Sequence, residues 1–90
     1  MPRAERTFLI INTLGLHARA AAQLVQAANR FRSEIHVDKD GSTVNGKSIM
    51  GVLTLAAAKG STITLSCDGD DAEHAMAALA KIIENGFGEP

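Results

Sequence analysis

The chain has 90 residues, 46% hydrophobic and 21% charged, with 9 lysines and arginines against 10 acidic residues. Neither half of so short a chain buries enough apolar surface to offset its own ordering entropy, so one domain over residues 1–90 is expected. The balanced charge excludes the basic stripe of a nucleic-acid binder, and no run approaches the roughly 20 apolar residues of a membrane span.

The opening MPRAERT lacks the apolar core of a secretory signal, and Cys67 is the lone cysteine, so an internal disulfide is excluded. Both features fit a reducing cytoplasm, which is the expected location. Thr7 to Asn12 has the residue types of a strand, although apolar side chains occupy both parities. From Ala18 to about Phe31 the spacing becomes helical, with Ala20 or Ala21, Leu24, Val25, Ala28 and Phe31 on one side and Gln23, Gln26 and Asn29 on the other. Glu34 to Lys39 alternates as a half-buried strand, and Asp40-Gly41 supplies a two-residue hairpin into a returning strand, Ser42 to Asn45.

Asn45-Gly46 punctuates again, and Ser48 before Ile49, Val52, Leu53 and Ala56 reads as the N-cap of a short helix, closed by Gly60. Thr62 to Cys67 alternates Ile63, Leu65 and Cys67 against Thr62, Thr64 and Ser66. A last helix follows with Ala72, Ala75, Met76, Leu79, Ile82 and Ile83 as its buried stripe, capped either by Asp70, in capping-box spacing with Glu73, or by Asp71. The order βαββαβα with a tight central hairpin predicts an α+β sandwich, a mostly antiparallel sheet with helices on one face. About 1–5 and 86–90 are expected to be loose tails.

His17 falls where the first strand gives way to the first helix, with Arg19 two positions on. The first N–H groups of a helix lack internal acceptors and carry partial positive charge, which suits an anion. With His17 as the cap, the amides of Ala18, Arg19 and Ala20 and the forked guanidinium of Arg19 suit a phosphoryl group on the imidazole. The residues alone also leave a plain capping histidine open. His36 and His74 read as surface histidines with no third ligand nearby, so no metal and no cofactor are expected.

GLHAR at Gly15 to Arg19, together with NGKSIMGVLTL at Asn45 to Leu55, resembles the HPr family, the histidine-containing phosphocarriers of the bacterial phosphoenolpyruvate phosphotransferase system. The resemblance implies an open-faced β-sandwich of four antiparallel strands and three helices. It implies that His17 takes a phosphoryl group on Nδ1 from enzyme I and passes it to a histidine of an enzyme IIA, with Arg19 assisting. It makes Ser48 the position that an HPr kinase/phosphorylase modifies, where that enzyme is present. Ala20, Ala21, Ile49, Met50 and Leu53 are the candidate docking residues around His17, and a monomer is expected.

Two departures bear on the branch of the family. Ala20 stands where many sugar-transport members carry proline, which restores an N–H beside the anion site. Gln26 and Asn29 occupy the exposed side of the first helix, where such members often place lysines. HARAAA at residues 17–22 resembles the nitrogen-related branch, so a regulatory phosphorelay stands beside sugar transport. A binding-only regulator using the Ser48 face is a further alternative, opposed by the His17 and Arg19 pair. A hydrolase is least favoured, because no carboxylate neighbour of His17 and no second catalytic motif are visible and the inferred site is too open to exclude water.

Overall fold

A computed structural model describes residues 2–89 of the chain. Its elements are β1 (Arg3–Leu9), α1 (Ala18–Ala28), β2 (Glu34–Lys39), β3 (Ser42–Asn45), α2 (Ile49–Thr54), β4 (Thr62–Asp68) and α3 (Ala72–Glu84), followed by a one-turn segment, Gly86–Gly88. The strands form a single antiparallel sheet in the order β1-β4-β2-β3. This is the α+β open-faced sandwich that the element order predicts.

Alternation decides which side of the sheet is covered. Phe8, Ile35, Val37, Ile63, Leu65 and Cys67 are buried beneath the helices, while Glu5, His36, Thr43 and Thr62 on the opposite parity are exposed. Buried side chains of α1 (Leu24, Val25, Ala28) and α3 (Ala75, Met76, Leu79, Ile83) complete the core. The hairpin turn has both central residues at positive φ, Asp40 at 52° and Gly41 at 86°, the requirement of the turn whose twist matches the flanking strands. Burial pushes the Cys67 thiol up, with the Asp71 carboxylate adding to the effect.

Several boundaries differ from the sequence expectation. The first strand runs over Arg3–Leu9 instead of Thr7 to Asn12, since the ladder to β4 pairs Arg3 with Asp68 and Leu9 with Thr62. An edge strand needs few apolar residues, and Arg6 even lies on the covered face, stacked 4.7 Å from the Phe8 ring centroid and reaching Glu84 at 3.3 Å. Helix α1 stops at Ala28, where the amides of Arg30 and Phe31 turn back to the carbonyls of Ala27 and Ala28. The expected tails also differ: residues 3–5 belong to β1, and Phe87 is buried. Residues 1 and 90 lie outside the described ones.

The caps divide similarly. Ser48 caps α2, its Oγ accepting from the Gly51 N–H at 3.1 Å. Asp71 occupies the N-cap of α3, yet neither its carboxylate nor that of Asp70 caps the helix. The Asp71 side chain instead accepts from Ser33 Oγ at 2.6 Å, Arg32 N at 2.8 Å and Ser33 N at 2.9 Å, tying the entry of β2 to the start of α3. Buried Ser33 competes for the carboxylate and wins, because its own polar groups have to be satisfied.

Those bonds, the Ser33 hydroxyl first, hold the Asp71 carboxyl down at about 2. The stability they confer is complete above the unfolded carboxyl's value, about 3.9, and is lost as pH falls through about 2. Asp71→Asn is expected to melt below the parent at neutral pH and to lose less on acidification from about pH 5 to about pH 2. Thermal unfolding across that range checks both.

Candidate functional site

Helix α1 begins in a tightly built corner. Gly15 sits at φ 65°, and a Cβ there would collide with the Ala57 carbonyl oxygen and stand 2.9 Å from Ala58 Cα. That close approach lets Leu16 N donate to Ala57 O at 2.8 Å and lets the Leu16 side chain bury. Leu16 precedes the cap and Ala21 lies one turn inside, both buried, in the positions of a hydrophobic staple. His17 is therefore fixed at the N-cap with extended backbone, φ −71° and ψ 177°.

The two ring nitrogens face different partners. Nδ1 accepts from the Arg19 N–H at 3.3 Å, and Nε2 lies 3.1 Å from Glu89 Oε2. An N–H on one side and a carboxylate on the other assign the proton to Nε2 and the lone pair to Nδ1. The ring is partly exposed, with 28% of its side-chain surface open. Arg19 is exposed beside it and makes no ion pair among the described residues.

Glu89 reaches the ring because the chain reverses after α3. Gly86, Phe87 and Gly88 all have positive φ, at 61°, 57° and 74°, forming a left-handed turn. Two glycines adopt that conformation freely, whereas Phe87 carries a cost of about 1–2 kcal/mol, offset by burial of its ring. Gln23 Nε2 donates to Phe87 O at 3.1 Å, pinning the turn to α1. The Glu89 carboxylate also accepts from Asn12 Nδ2 at 2.6 Å and from Leu14 N at 3.3 Å. These bonds, the Asn12 amide first and the His17 ring last, hold its carboxyl below the ordinary range. Leu14, Gln23, Phe87 and Gly88 line the adjoining hollow of about 290 Å³.

The predicted site residues are partly brought together. His17, Ala18 and Arg19 share the helix start with outward surface, but Ala20 and Ala21 are fully buried. Neither alanine can form partner surface, and Ala20 presents none to an incoming phosphoryl group, because both face the core that α1 packs against. Ile49 and Met50 are exposed, Met50 at 73%, and Leu53 is half-buried against the core. Ser48 lies near the other end of α1, since Asn29 Nδ2 donates to Lys47 O while Leu16 meets Ala57. The exposed large apolar side chains among the described residues are Leu9, Ile11, Leu14, Ile49 and Met50, with Ile49 and Met50 on α2 and Leu14 beside His17.

Asn12, Leu14, Phe87 and Glu89 were not signalled by motif. Asn12 reads as the end of a strand and Glu89 as part of a tail; only the bracketing of Phe87 by two glycines hints at a turn. Among the described residues no group of three or more His, Cys, Asp or Glu side chains is placed to hold a metal, and no helix is long and apolar enough to cross a membrane.

Known proteins share this four-stranded open sandwich and its sequence. Residues 4–85 match the family model described as PTS HPr component phosphorylation site. The chain is 53% identical over 85 residues to the phosphocarrier protein HPr of Cupriavidus necator, covering 94% of this chain and 96% of that one. It is 56% identical, over the same shares, to the phosphocarrier protein HPr of Neisseria meningitidis serogroup A. The crystal structure of HPr-C-His from Thermoanaerobacter tengcongensis superposes with a TM-score of 0.93 at 49% identity, covering 97% of this chain and 98% of that one. The chain belongs to the HPr phosphocarrier family of the phosphotransferase system.

Gly15 is the position on which the corner turns. Gly15→Ala is expected to cost at least about 2 kcal/mol in urea unfolding, since it adds a clash to a left-handed backbone.

Proposed function

We propose that His17 accepts a phosphoryl group on Nδ1 from a phosphohistidine of enzyme I and passes it to a histidine of an enzyme IIA. The single observation supporting this most is the ring's placement, Nδ1 bearing its lone pair at the N-terminus of α1 beside the Arg19 amide. In uptake the Nδ1 pair forms the new N–P bond while the donor's P–N bond breaks, its electron pair returning to the donor imidazole. The Arg19 N–H, released from Nδ1, becomes a donor to a phosphoryl oxygen, joined by the Ala18 N–H and the Arg19 guanidinium. Positioning and charge stabilisation are the whole contribution of such a carrier.

Incubation with phosphoenolpyruvate and enzyme I, followed by intact mass, tests the reading. One added phosphoryl group on the parent chain and none on His17→Ala is expected; an adduct of equal yield on His17→Ala overturns it. Transfer onward to a sugar-type IIA, or to a nitrogen-type one, separates the two branches. Gln26 on the exposed face of α1, without added positive charge, favours the regulatory branch slightly. The reading places the chain in the cytoplasm with these partners.

Leu14, Ile49 and Met50 supply the exposed apolar surface for partner proteins in this reading. Ser48 adjoins that surface, and a phosphate on it would add up to two negative charges beside Ile49 and Met50 if a kinase for it is present. Met50→Glu and Ser48→Asp are each expected to slow phosphoryl uptake from enzyme I by about tenfold or more, a change of about 1.4 kcal/mol. Because Met50 is solvent-facing, Met50→Glu is expected to move stability by no more than about 0.5 kcal/mol, so unfolding and uptake are separable.

A further inference from the structure

We infer that the Glu89 carboxylate is a positioning residue for phosphoryl transfer, holding the proton on His17 Nε2 so that Nδ1 is kept as the nucleophile and the ring's charge is balanced once phosphorus is bound. The inference rests on the carrier reading of His17. It concerns a residue outside positions 4–85, the part of the chain that the family model matches.

Geometry carries the argument. Glu89 Oε2 lies 3.1 Å from Nε2, and the same oxygen accepts from Asn12 Nδ2 at 2.6 Å, while Oε1 accepts from Leu14 N at 3.3 Å. Asn12 is itself buried and donates from Nδ2 to Gly15 O at 2.7 Å, which orients its amide toward the carboxylate. The buried Oδ1 of Asn12 has no partner, so the amide has been turned to favour its two acceptors at the expense of its own oxygen. A carboxylate steadied by three N–H groups, one of them the ring's own, is the arrangement that fixes an imidazole tautomer.

The proton balance follows. As Nδ1 bonds phosphorus, the Nε2 proton stays in place and the ring becomes cationic opposite Glu89. On outward transfer the N–P bond breaks and its electron pair returns to Nδ1, so the ring departs as neutral imidazole still protonated at Nε2. Without the carboxylate the phosphorylated ring sheds the Nε2 proton more readily, and a ring lacking it is a poorer leaving group. Among the titratable and charged groups lining the hollow, Glu89 touches the ring and Arg19 neighbours it; Thr13, Leu14, Gln23, Phe87 and Gly88 are uncharged. Glu89 also holds a lowered carboxyl, consistent with an anion at working pH.

The test uses the full chain, 15N-labelled at histidine, in parent, Glu89→Gln, Glu89→Ala and Asn12→Ala forms. The nitrogen shifts of unphosphorylated His17 report its tautomer, and the phosphorylated chains are timed in transfer to enzyme IIA. The parent is expected to be protonated at Nε2 throughout and Glu89→Ala to lose part of that preference, the Arg19 N–H at Nδ1 remaining to favour it, with Asn12→Ala between them. Glu89→Gln keeps the tautomer, since its carbonyl still accepts, yet its outward transfer at about pH 8 is expected to fall about tenfold and to rejoin the parent near pH 6, where solution protons supply Nε2 in both. An undiminished Nε2–H tautomer in Glu89→Ala overturns the inference, as do equal transfer rates for parent and Glu89→Gln at both pH values. A parent chain that takes no phosphoryl group defeats the carrier reading and the transfer half of this inference with it, while the tautomer measurement still decides the contact.

Discussion

The bond from the Arg19 N–H to His17 Nδ1 is long, 3.3 Å, and its length matters because the same nitrogen is the one proposed to bond phosphorus. A strong cap would hold the lone pair in the helix; a missing cap would leave the ring without orientation at the start of α1. At this distance the bond steadies the ring at small cost and yields to an incoming group. The amide it frees then points at the oxygens of whatever replaces it. Capping and phosphoryl binding thus draw on one set of helix-terminal donors, used alternately.

That arrangement requires the backbone before the helix to be immobile, and the packing explains how it is. Gly15 admits the Ala57–Ala58 backbone to a distance no other residue allows, Leu16 buries, and small side chains let α1 pack closely. Ala20, Ala21 and Ala28 have no exposed surface at all, which leaves Ala18 and Arg19 as the open residues of the first turn. The alanine run is therefore core on one side and access on the other. The chain keeps the reacting ring at the rim of its core without sacrificing apolar burial.

Much of this was legible from local pattern. The Asp40-Gly41 hairpin, the alternation of Ile35 and Val37 or of Ile63, Leu65 and Cys67, the Ser48 cap and the helical stripe of α3 are all short-range signals, each imposed by backbone geometry within a few residues. His17 and Arg19 were legible because a helix start is itself local. What escaped depended on partners distant in sequence. Residues 3–5 read as polar tail since their ladder lies more than sixty positions away in β4. Asp71 has the type and place of a cap, but Ser33, in the loop before β2, takes its carboxylate. Helical phase sets Ala20 or Ala21 beside Leu24, while proximity to His17 offers both as docking surface; the structure buries both. Glu89 meets His17 only because Phe87 buries in a left-handed turn, which no periodicity announces.

The account stands on which nitrogen of which histidine bears phosphorus. A 31P–15N correlation spectrum of the chain, 15N-labelled at histidine and phosphorylated through enzyme I, measures that directly. Coupling of the phosphorus to Nδ1 of His17 is the predicted result; coupling to Nε2, or to His36 or His74, would contradict it.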